Sequence, residues 1–178
     1  MFRLLAFVAV LMLAIQSLAA AEEPLRERST FDVDLPAVRA TAACGFPIRQ
    51  HIVGAANFTV FYDSAGIIDR EVDTFPTLKT TVYRPGTDLS FTSAEPAVLH
   101  TQYTNGAAIG STATAELTGR AERIPGVGID AGRLVFSAVV VRLDLAGVPV
   151  VRGTGVISSV GPSFEANLGV ERCAFFQQ

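Results

Sequence analysis

Cys44 and Cys173 are the two cysteines of this 178-residue chain, and 129 positions separate them. What they can do depends on compartment, and the first residues bear on that. Met1-Phe2-Arg3 opens the chain, an apolar run follows from Leu4 to Leu18, and Ala19-Ala20-Ala21 precedes Glu22. A short basic start, an apolar middle and an Ala-x-Ala end are the three parts of a secretory signal peptide. The run is shorter than the roughly 20 apolar residues that a membrane-spanning helix needs. Residues 1–21 are therefore expected to be removed, leaving a secreted or extracytoplasmic chain with no membrane span. In an oxidising exterior a cysteine pair becomes a disulfide, and two cysteines allow one intramolecular pairing. Chain-entropy arithmetic for so long a loop gives about 4–5 kcal/mol as an upper figure. There is no Cys-x-x-Cys, and no metal-ligand residue types cluster with either cysteine. That favours a structural bridge over a redox or zinc pair.

The rest of the chain reads as strands and tight turns. Charged residues are 17 % of the sequence, below the usual quarter, while Gly, Pro, Thr and Val punctuate and fill short segments. Strands are predicted over 48–53 and 57–63, joined or broken by a bulge at Gly54. Others are predicted over 67–74, 78–84, 89–92, 97–104, 111–123, 132–145 and 148–160. Asn105-Gly106 is the strongest two-residue hairpin signal. From Ser111 to Arg123 the alternation is clean: Ala113, Ala115, Leu117, Gly119 and Ala121 share one face, with Thr, Glu and Arg on the other. Period two over that length marks a half-buried antiparallel strand. The 132–145 segment is apolar on both faces in its middle, which predicts cover on both sides. Ser163 is a fair N-cap, and Phe164, Leu168, Cys173 and Phe176 could share one side of a short C-terminal helix that Gly169 weakens.

Such a pattern predicts an all-β fold. We read an antiparallel meander of eight or nine strands, closed into a barrel because closure removes exposed edges, with a short C-terminal helix or coil. A two-sheet sandwich is the alternative. Residues 22–43, polar and then Ala-rich, read as a flexible leader, and 44–178 as one β-rich domain.

Candidate chemistry is sparse. His51 and His100 lie in predicted strands, outside any metal spacing; His100 is the better candidate, near Glu95, Gln102 and Tyr103. Asp69, Glu71 and Asp73 share a strand face and read as a solvated stripe. No Gly-x-Ser-x-Gly elbow occurs, and no phosphate loop, so no catalytic residue, metal or cofactor is assigned. Mild acidity, a net charge of −3, gives no basic footprint for nucleic acid. The small-residue face of 113–121 leaves internal volume. Either Phe58, Phe61, Phe91, Phe136 or Phe164 fills it, or it holds an apolar ligand, with His100, Tyr103 and Leu117 as candidate contacts.

Cys44-Gly45-Phe46-Pro47, the Phe-rich 57–62 strand, Thr74-Phe75-Pro76, Asp130–Phe136 and the closing Cys173-Ala174 together resemble secreted single-domain bacterial proteins of uncharacterised activity. That resemblance implies export, a β-rich domain and a terminal cysteine pair, and carries no activity. In architecture alone the meander also resembles lipocalin and dirigent-type barrels, although without tryptophan it lacks the lipocalin Gly-x-Trp. The expected function is that of a secreted, non-catalytic β-barrel binding a small apolar molecule. The alternatives are an extracellular structural or protein-interaction domain, and a dirigent- or cyclase-like enzyme working through His100, Tyr103 or an inward Glu.

Overall fold

The computed structural model describes residues 23–144, 147–161 and 168–178. The expected signal segment, the Ala146 turn position, and Ser163 and Phe164 lie outside them, as does the side chain of Ala121.

One antiparallel sheet dominates. Its strands are β1 (Leu25–Pro36), β2 (Arg49–Tyr62), β3 (Ile68–Phe75), β4 (Lys79–Tyr83), β5 (Ser90–Ala94), β6 (Ala97–Tyr103), β7 (Thr112–Ile124), β8 (Gly128–Leu143) and β9 (Pro149–Val160). Two helices, α1 (Val38–Cys44) and α2 (Leu168–Phe176), lie against each other at one end. The all-β antiparallel reading therefore holds. The leader does not: residues 25–36 pair with β2 along their whole length, Leu25 opposite Val60 and Pro36 opposite Arg49. Its alternation was hidden because Glu27 sits on the inward face, beside half-buried Leu25, Ser29 and Phe31. A charge in that position breaks the apolar/polar rhythm by which strands are recognised.

The sheet is not closed into a barrel. Its path runs β5-β4-β2-β3-β6-β7-β8-β9, with β1 as a branch on β2. Long β2 is the reason. Its first half, Arg49–Val53, pairs with β4, and its second half, Asn57–Tyr62, pairs with β3. The β3–β4 connection crosses β2 between the two halves. There Gly54, at φ +154, lies so close that a Cβ would sit 2.8 Å from the Leu78 Cα. The expected break at Gly54 is thus a branch point. Beyond it the sheet curls until β5 lies beside the far half of β7, where the Arg123 N–H donates to Ser93 Oγ at 2.8 Å. At the other extreme β9 forms an edge. Its residues from Arg152 to Val160 are exposed.

The loop after β6 also differs from expectation. Asn105-Gly106 does not close a two-residue hairpin. The chain runs on to Ser111, and Ala107 turns into the core beside Tyr103 and Ala113. Nor is β8 covered on both faces: Val135 and Val139 are half-buried and Val141 is exposed. Its apolar outer residues are β-branched, which suits a pleated surface whether or not it is covered.

Two cores sit on the concave face. At the closed end Ala37, Ala40, Ile48, Val82, Phe91, Ile124 and Phe176 pack together. Phe91 meets Phe175 edge-on with ring centres 4.9 Å apart. The Ala-rich run forms α1 because alanine is the best helix former, and Gly45 ends it in a left-handed turn with its N–H bonded to Thr41 O at 3.0 Å. Gly169 lets α2 approach, since a Cβ there would stand 2.7 Å from the Arg39 backbone. Buried Leu168, Gly169, Arg172, Cys173 and Phe176 make the inward stripe of α2, at the three- and four-residue spacing of a helix face. Cys44 and Cys173 are joined as a disulfide with Cα atoms 5.3 Å apart. The second core, at the other end, holds Tyr103, Ala107, Ala113, Ala115, Ala138 and Val140.

Candidate functional site

The strand register places the concave side chains in rows. One row runs across six strands: Glu27 opposite Phe58, Phe58 opposite Asp73, Asp73 opposite Leu99, Leu99 opposite Leu117, and Leu117 opposite Leu134. The next runs Leu25, Val60, Glu71, Thr101, Ala115 and Phe136. Side chains directly opposite one another on a face are neighbours. The concave face therefore has an acidic half, on β1 and β3, and an apolar half, on β6 to β8.

The apolar half is a groove of about 700 Å³ lined by Leu99, Leu117, Leu134, Phe136 and Val151, together with Arg39 and the exposed β9 residues Arg152 to Val156. The small residues of β7 help to leave this space: Ala113 and Ala115 are buried at its flank, while Leu117 lines it. Of the phenylalanines expected to fill the interior, Phe91 packs into the closed end and Phe136 forms a groove wall. Phe61 points the other way, under the guanidinium of Arg70 at 4.2 Å.

The acidic half overturns the reading of a solvated stripe. Glu71 is 3 % exposed and Asp73 6 %. Strand β3 lies between β2 and β6, so the face carrying these residues turns into the trough rather than toward water. Asp69, at the end of the strand, stays at the rim, where its carboxylate accepts from Gln102 Nε2 at 2.9 Å. Tyr103 Oη donates to Glu71 Oε2 at 2.7 Å, and this contact is buried. Burial raises both acids, and the neighbouring Glu71 charge helps push Asp73 up to about 8. Glu71 and Asp73 are hydrogen-bonded to each other through their side chains, and two carboxyl groups in contact share a proton, because both cannot ionise cheaply at short range in low dielectric. The Tyr103 phenol is raised by burial and then by its bond to Glu71, so it remains a hydrogen-bond donor. Two oxygens of this half, Glu27 Oε2 and Asp73 Oδ1, are buried without a hydrogen-bond partner.

The three anticipated contacts separate. Tyr103 and Leu117 lie on the concave face, Tyr103 against the acid pair and Leu117 in the groove. His100 lies on the convex face, exposed, opposite Val72 and Glu116, and Glu116 is held by Arg133 at 2.6 Å. Alternation along β6 puts His100 and Tyr103 on opposite faces, so they cannot act together. Sequence reasoning missed that Glu71 and Asp73 are buried and that Glu27, half-buried, faces the same interior. The available signal was the odd composition of β3, where carboxylates occupy alternate positions in a strand that must sit mid-sheet. Among the described residues no group of three His, Cys, Asp or Glu side chains has the geometry to hold a metal ion, and no helix is long and apolar enough to cross a membrane. Compared with protein-family models, curated proteins and solved structures, the chain matches none.

Proposed function

We propose that this is an extracytoplasmic, non-catalytic binding protein that holds a small, largely apolar molecule along the concave face of its open sheet. The carrying observation is the groove of about 700 Å³ walled by Leu99, Leu117, Leu134, Phe136 and Val151. Its size lies within the range of small-molecule sites, which are mostly apolar with a few placed polar groups. The disulfide supports the compartment, since such bridges persist outside the reducing cytoplasm. Native mass spectrometry of protein isolated with its disulfide intact tests the reading. An added mass that is lost on denaturation is expected, and the variant Leu117→Arg should abolish it. A bare mass, together with no enhancement of an apolar fluorescent dye that Leu117→Arg suppresses, would refute it.

A second reading, an interaction domain, is favoured by β9. This edge strand exposes Val156, Ile157 and Val160 and has no charge between Gly153 and Val160. Edge strands without charge or proline invite pairing with another chain. Sedimentation equilibrium distinguishes the two: a stable dimer that Ile157→Lys dissociates supports the interaction role.

A further inference from the structure

We propose that Glu27, Phe58 and Asp73 form a subsite for a primary ammonium group, so that the ligand of the concave face is a cationic amphiphile. The apolar body of such a molecule would run along Leu99, Leu117 and Leu134. This rests on the groove reading given above and adds the chemistry of the ligand's polar end.

Four observations carry it. First, Asp73 is 94 % buried, being 6 % exposed, and its Oδ1 has no hydrogen-bond partner. A buried acceptor left unmatched costs about 1–3 kcal/mol, which a ligand donor can recover. Second, Glu27 Oε2, arriving from a different strand, is likewise buried and unmatched. Third, Phe58 lies directly between the two in register. An aromatic residue between carboxylates suits an ammonium, which gains from the charge and, over the ring, from its quadrupole. Fourth, the row continues without interruption into the leucines of the groove. A head group at Asp73 therefore places an alkyl chain where the apolar wall begins.

The sign of the charge follows from the surroundings. The charged groups that act on the pair are themselves carboxylates, Glu71 on Asp73 and Asp144 on Glu71. Tyr103 contributes an O–H to Glu71, and Glu27 adds a further acid from β1. An anionic head group seated at Asp73 would meet these carboxylates, whereas the cations of the groove, Arg39 and Arg152, line its apolar half. An ammonium would be matched, and docking it costs Asp73 its proton: the carboxyl O–H releases H⁺ to solvent and the carboxylate accepts an N–H from the ligand. Binding of the cation is thus coupled to release of one proton.

The test uses three probes of one chain length, octylamine, octanol and octanoate, titrated calorimetrically into the disulfide-intact protein. Octylammonium is expected to bind roughly tenfold or more tighter than octanol, a difference of about 1.4 kcal/mol, with octanoate weakest. Its affinity should rise between about pH 6 and pH 9, because the carboxylate form of Asp73 is the binding form. Titrations in buffers of different ionisation enthalpy should show the released proton. Asp73→Asn should remove the preference for ammonium while octanol binding persists. Glu27→Gln, at a less buried position, should reduce the preference and keeps the test open if the first variant does not fold. Equal binding of octanol and octylammonium would overturn the ammonium subsite and leave the groove standing. Tightest binding of octanoate would also overturn it. Binding of none of the three would overturn the groove and the subsite together.

Discussion

Arg172 fastens the C-terminal helix to the sheet, and its removal should be the most damaging single change outside the disulfide. Its Nε and Nη2 donate to Glu122 Oε1 and Oε2 at 2.7 and 3.1 Å, and its Nη1 donates to Gln50 Oε1 at 2.8 Å. The side chains are 9 % and 0 % exposed for Arg172 and Glu122. Replacing Arg172 by Met keeps most of the volume but removes the guanidinium that pairs with a fully buried carboxylate. Breaking one side of such a pair costs about 3–5 kcal/mol, whereas replacing both partners by apolar groups is near neutral or stabilising. Arg172→Met should therefore lose about 3–5 kcal/mol, and Glu122→Leu/Arg172→Met should recover most of it. Urea unfolding followed by circular dichroism and tyrosine fluorescence reads this out. With a slope of about 2 kcal/mol/M the single variant's midpoint should fall by roughly 1.5–2.5 M. The disulfide at Cys173 stays closed in both variants, so the loss cannot be ascribed to a released chain end. A shift under about 1 kcal/mol for Arg172→Met, or a double variant worse than the single, would refute the reasoning.

Further outcomes are open to the same kind of measurement. Non-reducing peptide mapping should recover Cys44 linked to Cys173, and Cys44→Ser/Cys173→Ser should lower stability by up to about 4–5 kcal/mol; free thiols in the native protein would contradict this. Asp73 binds its proton more tightly folded than unfolded, about 8 against 3.8. Stability should accordingly be greatest below the unfolded value and fall by up to about 1.4 kcal/mol per pH unit as pH rises toward the folded one. Asp73→Asn should flatten that fall and exceed wild type in stability at mildly alkaline pH; a wild-type profile that rises over this window would exclude the shared proton. Gly54→Ala should cost at least about 2 kcal/mol, because its Cβ would press on the Leu78 backbone at 2.8 Å with φ at +154; an unchanged melting temperature would mean that the branch in β2 can relax.

Much of this fold was written locally. The alternation of 111–118, most of the turn residues and the apolar face of α2 each reflect a few neighbouring residues, and the β-rich antiparallel reading followed from them; past Thr118 a bulge breaks the alternation and turns Glu122, expected outside, into the interior. So did the cysteine pair, whose partners are fixed by there being two. Three features were not local. The 25–36 strand was obscured because its inward position 27 is a glutamate. Barrel closure was expected from the cost of free edges, but the division of β2 between β3 and β4 at Gly54 turns the sheet into an open trough. The carboxylates of β3 looked wet because alternation gives which residues share a face and not which face is inward. That choice belongs to register: only when Phe58 falls opposite Asp73, and Val60 opposite Glu71, do the two acids enter the same low-dielectric interior as the leucines of β6 to β8. Local patterning was enough for most of the strands and turns and for the bridge. That acids and leucines line one trough came only from packing across the sheet, because desolvation and proton sharing depend on distances between strands far apart in the chain.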